Sequence, residues 1–421
     1  MSHLELAIED RFGEKEMFAE PFAYYAALRD EAPAFYSPTL GAYVVTRYDD
    51  AVRVLTNPQV FSSFPAGASP TAMAAFAPEY HTIYTDKGTW PPLPTLVITD
   101  GEVHRRYRGT VEKAFSQEAV RGMEASIRML VDALIDNFIA DGAVDLYKAL
   151  CLKLPSFVMC DVIGLPREAA PLLKRGADTS PRLASSALES EESRRALNGE
   201  RADMYVYIQS FIEKYRAEPQ DNLLSRIIHT DPSDGVPLTV QELISIAGTL
   251  NVGGNETTTN GLGNMFYRAF LDPEALGSAR AEPARFVEET LRLESAVSAM
   301  PRWVMADTEI DGVAIPAGAR LFVSFLAANN DERKFACPHQ LDAKRAAVRN
   351  HVAFGAGPHF CLGAPLARLE MKVALERVLD RLADIRLDPA IPIRRQQKMI
   401  VRGIENLPIL FTAAKSERVL F

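Results

Sequence analysis

In the run Phe354-Gly355-Ala356-Gly357-Pro358-His359-Phe360-Cys361-Leu362-Gly363, one cysteine sits among three glycines, two phenylalanines and a histidine. A cysteine that ligates a metal or attacks a substrate does so as a thiolate. That anion needs backbone N–H groups near sulfur and a dry surround. Gly355, Gly357 and Gly363 allow positive φ and close approach of the main chain to a flat partner. Phe354 and Phe360 offer apolar cover. Beyond Cys361, residues Leu362, Leu366, Leu369, Val373, Leu379 and Leu382 recur at helical spacing. Cys361 is therefore expected at a helix N-terminus, where the dipole and unpaired N–H groups lower a thiol pKa. Pro365 falls in the first turn, where no intrahelical donor is needed. Cys151, Cys160 and Cys337 read as small buried hydrophobes. A zinc alternative would pair Cys337-x-His339 with His359-x-Cys361, but one-residue gaps are poorer chelates than two to four.

A second chemical cluster is Gly253-Gly254-Asn255-Glu256-Thr257-Thr258. An acid beside an alcohol can relay protons. The same small residues could instead form a helix-packing groove. The cluster lies inside an expected helix from about Thr239 to Leu271, opened by the capping box Thr239-x-x-Glu242. Gly248, Gly253, Gly254, Gly261 and Gly263 fall within it. Each costs about 1 kcal/mol relative to alanine, so each calls for a reason. Further candidates are Glu289-x-x-Arg292 on a helix opened by Pro283, and His104 with Arg108 four residues apart on one helical face.

The elements that must position these groups are mostly helical. Helical periodicity dominates from Glu102 to Asp141 and through most of residues 144–300. Strand signals occur at Phe35-Tyr36, Ala42–Thr46, Glu309–Ile315 and Leu321–Ser324, with Pro316-Ala317-Gly318 as a turn. Residues 61–98 are rich in proline and aromatic side chains and predict a loop. The expectation is a mainly α fold with a minor β portion, a single domain over residues 1–421.

The 421 residues are 48% hydrophobic with a net charge of −9, a poor match to nucleic acid. Four scattered cysteines suit a reducing compartment. No signal peptide or membrane-spanning stretch is read, so a cytoplasmic protein is expected.

The cysteine run has the form F-G-x-G-x-H-x-C-x-G and resembles the haem-ligand loop of the cytochrome P-450 family, specifically its soluble bacterial members. Residues 253–258 are similar to that family's (A/G)-G-x-(D/E)-T-(T/S) motif. The resemblance runs from about Asp49 to Phe411. It implies haem b held between a long distal helix and the helix of the cysteine loop, with Cys361 as the axial iron ligand and Gly253 beside the haem. Thiolate ligation favours O–O cleavage. Thr257 would hydrogen-bond dioxygen and Glu256 would feed protons. His104, Arg108, Arg302 and His359 would contact the propionates, though the chain reads Asp100-Gly101-Glu102-Val103-His104-Arg105 where the family often has D-P-P-x-H-T. Glu289, Arg292 and Arg345 would form a structural triad. By motif position the substrate would meet Leu96, Val97, Thr249, Val252 and Gly253, and also Ser298, Ala299, Met300, Ile400 and Val401.

The implied reaction is O₂-dependent monooxygenation of a small hydrophobic organic molecule by hydroxylation, epoxidation or O-dealkylation. With no further domain expected, two electrons would come from a ferredoxin or flavodoxin and its NAD(P)H-dependent reductase. Arg105, Arg106, Lys113, Arg349 and Arg368 could steer that acidic partner. Residues 166–201 would be a lid, whose Arg175, Arg182, Arg194 and Arg195 could anchor a carboxylate. The alternatives are a peroxide-using haem-thiolate enzyme, or a zinc-structured binding protein without catalysis.

Overall fold

A computed structural model describes residues 8–64, 77–184, 190–230, 232 and 234–414. Residues 1–7 of the N-terminal reading and residues 65–76 of the proline-rich stretch lie outside them. The chain forms two compact units: Met1–Phe61, Arg121–Leu154 and Thr257–Phe421 in the first, Ser62–Val120 and Pro155–Glu256 in the second.

The first unit contains four strands of one sheet, β1 (Ala34–Ser37), β2 (Ala42–Val45), β3 (Ala299–Val304) and β6 (Arg320–Ser324). β2 runs antiparallel to β1 and parallel to β6, and β6 runs antiparallel to β3. Val45, Leu321 and Val323 are fully buried with Leu55, Phe325 and Val352. Each such side chain contributes about 1.5–3 kcal/mol through burial. The stretch expected as one strand, Glu309–Ile315, is instead a hairpin of β4 (Thr308–Ile310) and β5 (Val313–Ile315). Asp311 and Gly312 have φ of +49° and +78°. Such an Asp-Gly pair makes a two-residue hairpin turn.

The second unit is helical: α1 (His81–Asp86), α2 (Gly101–Val111), α3 (Ala170–Ala184) and α4 (Glu191–Ala217) carry its functional candidates. Within the stretch predicted as loop, α1 and a short turn at Pro78–Tyr80 are therefore helical. The long helix α5 spans Val240–Phe270, with its residues divided between the units at Glu256 and Thr257. Its capping box is formed: Glu242 N donates to Thr239 Oγ1 at 3.2 Å, and Thr239 N to Glu242 Oε2 at 2.8 Å. Among the described residues, no helix is long and apolar enough to cross a membrane.

α6 (Pro283–Leu293) and α7 (Ala364–Arg381) complete the frame of the first unit. α7 is tied to helix Glu124–Asp136 through Arg377–Asp132 at 2.8 Å and Arg381–Asp136 at 2.6 Å. On α6, Arg292 binds Glu289 through two hydrogen bonds of 2.8 Å, and Arg345 Nε donates to the same carboxylate at 3.0 Å. The two guanidiniums also donate to the carbonyls of Asn329, Ala336 and Pro338, so this charge cluster pins the segment after β6.

Breaking a buried pair by removing one partner strands the other charge. Arg292→Leu is expected to lower unfolding free energy by about 3–5 kcal/mol, read as a shift in urea midpoint. Arg394→Ala, which breaks an exposed pair with Glu405, should cost under about 1 kcal/mol. Equal shifts would show that burial does not set the value of these pairs.

Candidate functional site

The cysteine loop lies wholly in the first unit. Gly355 N donates to Val352 O at 2.8 Å and Cys361 N to Phe354 O at 2.9 Å, so the chain folds back between Phe354 and Cys361. Gly357 has φ +67°, and a Cβ there would lie 2.6 Å from Leu55 O. Gly355 has φ +72°. Gly363 departs from expectation: its φ is −80°. An added Cβ would meet only Cys361 Sγ, at an ordinary 4.0 Å. The helix starts at Ala364 rather than directly after Cys361. Leu382, expected on that helix, opens a strand because it pairs with Ala413 instead.

Cys361 is partly exposed, while Cys151 and Cys160 are buried. Burial pushes the Cys160 thiol up to about 12. Cys337 is exposed, with φ +47°, and so is not the buried hydrophobe expected. His339 packs edge-on against Phe22. Among the described residues, no group of three or more His, Cys, Asp or Glu side chains could hold a metal ion, which contradicts the zinc alternative. The Cys361 loop thus offers one sulfur, and a metal there must bring its other donors with it. A haem iron, with four ring nitrogens of its own, fits that donor set.

Two residues with no role expected from the sequence, Glu288 and His351, hold this loop. Glu288 lies beside Glu289 on α6. It is buried, and it accepts from Arg368 Nε at 2.6 Å and pairs with His351 Nε2 at 3.0 Å. The Arg368 guanidinium lies 4.4 Å from the Phe354 ring centroid, and the His351 ring packs near the same phenylalanine. Glu288 therefore orients Phe354 from two sides. Burial opposes its ionisation, but the hydrogen bonds and charges of His351 and Arg368 outweigh burial and hold its carboxyl at about 2. The doubled Glu288-Glu289 was the available signal.

Arg302 is buried on β3 and His359 is partly exposed, both in the first unit. Ser298, Ala299, Met300, Ile400 and Val401 come together there: Ser298 N donates to Ile400 O at 2.9 Å, and Val297 bridges Val401. In the second unit His104 is buried on α2, and Arg108 one turn on lies 3.5 Å from Glu112. Thr95 and Thr249 hydroxyls meet at 3.0 Å, bringing the Leu96–Val97 segment to the turn of α5 that precedes Val252. Leu96 is buried with φ +34°, and Val97 is exposed.

α5 is continuously helical through residues 253–258, with no local opening. Most of its glycines have packing reasons. A Cβ at Gly248 would meet Tyr205 at 2.7 Å, at Gly254 Met159 at 2.2 Å, at Gly261 Met371 at 3.2 Å and at Gly263 Ile404 at 3.1 Å. A Cβ added at Gly253 would have open space within 4 Å. Asn255 is held by Ser156 at 2.7 Å, Glu256 is 8% exposed and Thr257 is partly exposed.

Of the basic residues expected to steer a partner, Arg106 is bound to Asp234 and Glu242, and Arg368 to Glu288. Arg105, Lys113 and Arg349 are exposed. Among the lid arginines, Arg194 and Arg195 pair with Glu191, Arg182 donates to Ser193, and Arg175 is exposed.

The family model described as cytochrome P450 matches residues 190–403. Cytochrome P450 monooxygenase PikC of Streptomyces venezuelae is 32% identical over 94% of this chain and 92% of its own length. Vitamin D(3) 25-hydroxylase of Pseudonocardia autotrophica is 30% identical over 92% of this chain and 93% of its own. The solved structure of cytochrome P450 CYP109Q5 from Chondromyces apiculatus superposes with a TM-score of 0.83 at 31% identity, covering 96% of this chain and 98% of that one.

The Glu288 network carries a pH signature. Its folded pKa of about 2 lies below the ordinary 4.5, so its stabilisation is complete above 4.5 and is lost as pH falls toward 2. That depression corresponds to about 3 kcal/mol. The stability gap between wild type and Glu288→Gln, measured by urea unfolding, should be widest near neutrality and close between pH 4.5 and 2. A gap independent of pH would refute this linkage.

Proposed function

Because the chain belongs to the cytochrome P450 family, with that fold and its monooxygenase activity, we propose that it is a cytoplasmic haem-thiolate monooxygenase acting on a small hydrophobic organic substrate. Electrons come from a ferredoxin or flavodoxin and its NAD(P)H-dependent reductase. The observation that carries the reading is the folded-back loop presenting Cys361 as a single, partly exposed sulfur at the start of α7. When bound, haem supplies the reductive activation of dioxygen.

Cys361 Sγ would hold the haem iron, and Phe354, Gly355, Gly363 and Gly253 are assigned to haem contact. His104, Arg108, Arg302 and His359 would neutralise its two carboxylates. One oxygen atom enters the substrate and the other leaves as water, so a turnover consumes two electrons and two protons. Thr257 Oγ1 would present a proton to dioxygen, and the Glu256 carboxyl would replace it. A nearly buried acid suits this task because it limits water access while still exchanging protons. Leu96, Val97, Val252, Met300, Ile400 and Val401, with the hydroxyls of Thr249 and Ser298, are assigned to the substrate. Their mostly apolar character supports a hydrophobic molecule. Hydroxylation is favoured, in keeping with a relative named as a vitamin D(3) hydroxylase.

Dithionite-reduced protein exposed to carbon monoxide should show the strongly red-shifted Soret band of thiolate ligation. Cys361→Ala should abolish that band, and a native spectrum in this variant would end the reading. Thr257→Ala should retain the band but release peroxide, with product per NAD(P)H falling about tenfold or more. Unchanged coupling would remove Thr257 from the proton path.

A further inference from the structure

Arg201 on α4 is 5% exposed, yet its hydrogen bonds run only to hydroxyls: Nε to Thr179 Oγ1 at 3.3 Å and Nη2 to Ser180 Oγ at 2.9 Å. Among the described residues no carboxylate pairs with it. Three other buried arginines are compensated, Arg292 by Glu289, Arg402 by Glu294 and Arg29 by Glu332. Among the acids of α3 and α4, Asp178 pairs with Lys174, Asp203 with Lys87 and Glu191 with Arg194, while Glu200, next to Arg201 in sequence, is exposed. A guanidinium keeps its charge in protein interiors. A buried charge without a counter-charge is costly, and the cost is relieved when an anion arrives.

The surround of Arg201 is polar but neutral. Tyr84 lies beside the guanidinium and donates its hydroxyl proton to Asn198 Oδ1 at 2.8 Å. Thr179 donates its own proton to Gly176 O at 2.7 Å. Tyr205, one turn beyond Arg201, packs against α5 at Gly248, the residue before Thr249. Arg201 is thus one side chain removed from a turn of α5 already assigned to the substrate.

Resting on the monooxygenase reading, we propose that Arg201 is the anchor for a substrate carboxylate, so that the substrate class is hydrophobic monocarboxylic acids. Charge-assisted, paired hydrogen bonds from the guanidinium would hold the acid group. Of the lid arginines expected from sequence, Arg182, Arg194 and Arg195 already have partners of their own, and Arg175 is exposed.

The test is spectral titration of haem-loaded protein with matched probes: dodecanoate against dodecanol, and phenylbutyrate against phenylbutanol. Wild type should bind each acid about ten- to a hundredfold more tightly than its alcohol. Arg201→Gln should erase that preference while leaving the carbon monoxide band intact, and Arg201→Lys should keep part of it. Equal binding of acid and alcohol by wild type, or a preference that survives in the Gln variant, would overturn the proposal. If the Gln variant does not fold, the wild-type comparison and the Lys variant still decide. A normal carbon monoxide band without acid preference defeats the anchor alone. A missing band defeats the monooxygenase reading, and acid preference is then read as thermal stabilisation, which needs no haem.

Discussion

Two consecutive carboxylates on one helix, Glu288 and Glu289, hold the segment that carries the cysteine. Glu289 gathers Arg292 and Arg345 and, through them, the carbonyls of residues 329–338. Glu288 gathers Arg368 and His351, whose cation and ring both face Phe354. Consecutive helical side chains point about 100° apart, so one turn of α6 reaches two different segments. Ion pairs of this kind are no great source of net stability. Their value here is geometric, because buried, multiply bonded charges tolerate few alternative arrangements. A loop that must present a single sulfur in one direction gains from such a support.

The long helix solves a different problem. It passes through dense packing, and four of its interior glycines are accounted for by the side chains they admit: Tyr205, Met159, Met371 and Ile404. Glycine is costly in a helix, and close approach of a bulky neighbour is one of the few returns for that cost. Gly253 has no such neighbour.

Much of the fold was legible because its signals are local. The start of α5 follows from Thr239 and Glu242, whose reciprocal hydrogen bonds involve residues three apart. The start of α6 follows from Pro283. Errors occurred where pairing between distant segments overrides a local pattern. Leu382 has the spacing of a helical residue but pairs with Ala413. Residues 309–315 look like one strand, although Asp311-Gly312 turns them into a hairpin. Cys337 resembles the other core cysteines in sequence and yet lies exposed in a left-handed turn.

The sequence by itself determined the chemistry: a cysteine among glycines, an acid beside an alcohol within a capped helix, and histidine and arginine in a fixed order. Such patterns are dictated by covalent spacing, which folding does not alter. Only the tertiary structure decided which charges are engaged. Arg194 and Arg201 are indistinguishable as letters on one helix, yet Arg194 pairs with Glu191 and Arg201 is buried among hydroxyls. Glu288 and Arg368 are 80 residues apart but share a short hydrogen bond. Counter-charge and burial depend on what other segments bring near, and that proximity exists only once the chain has folded.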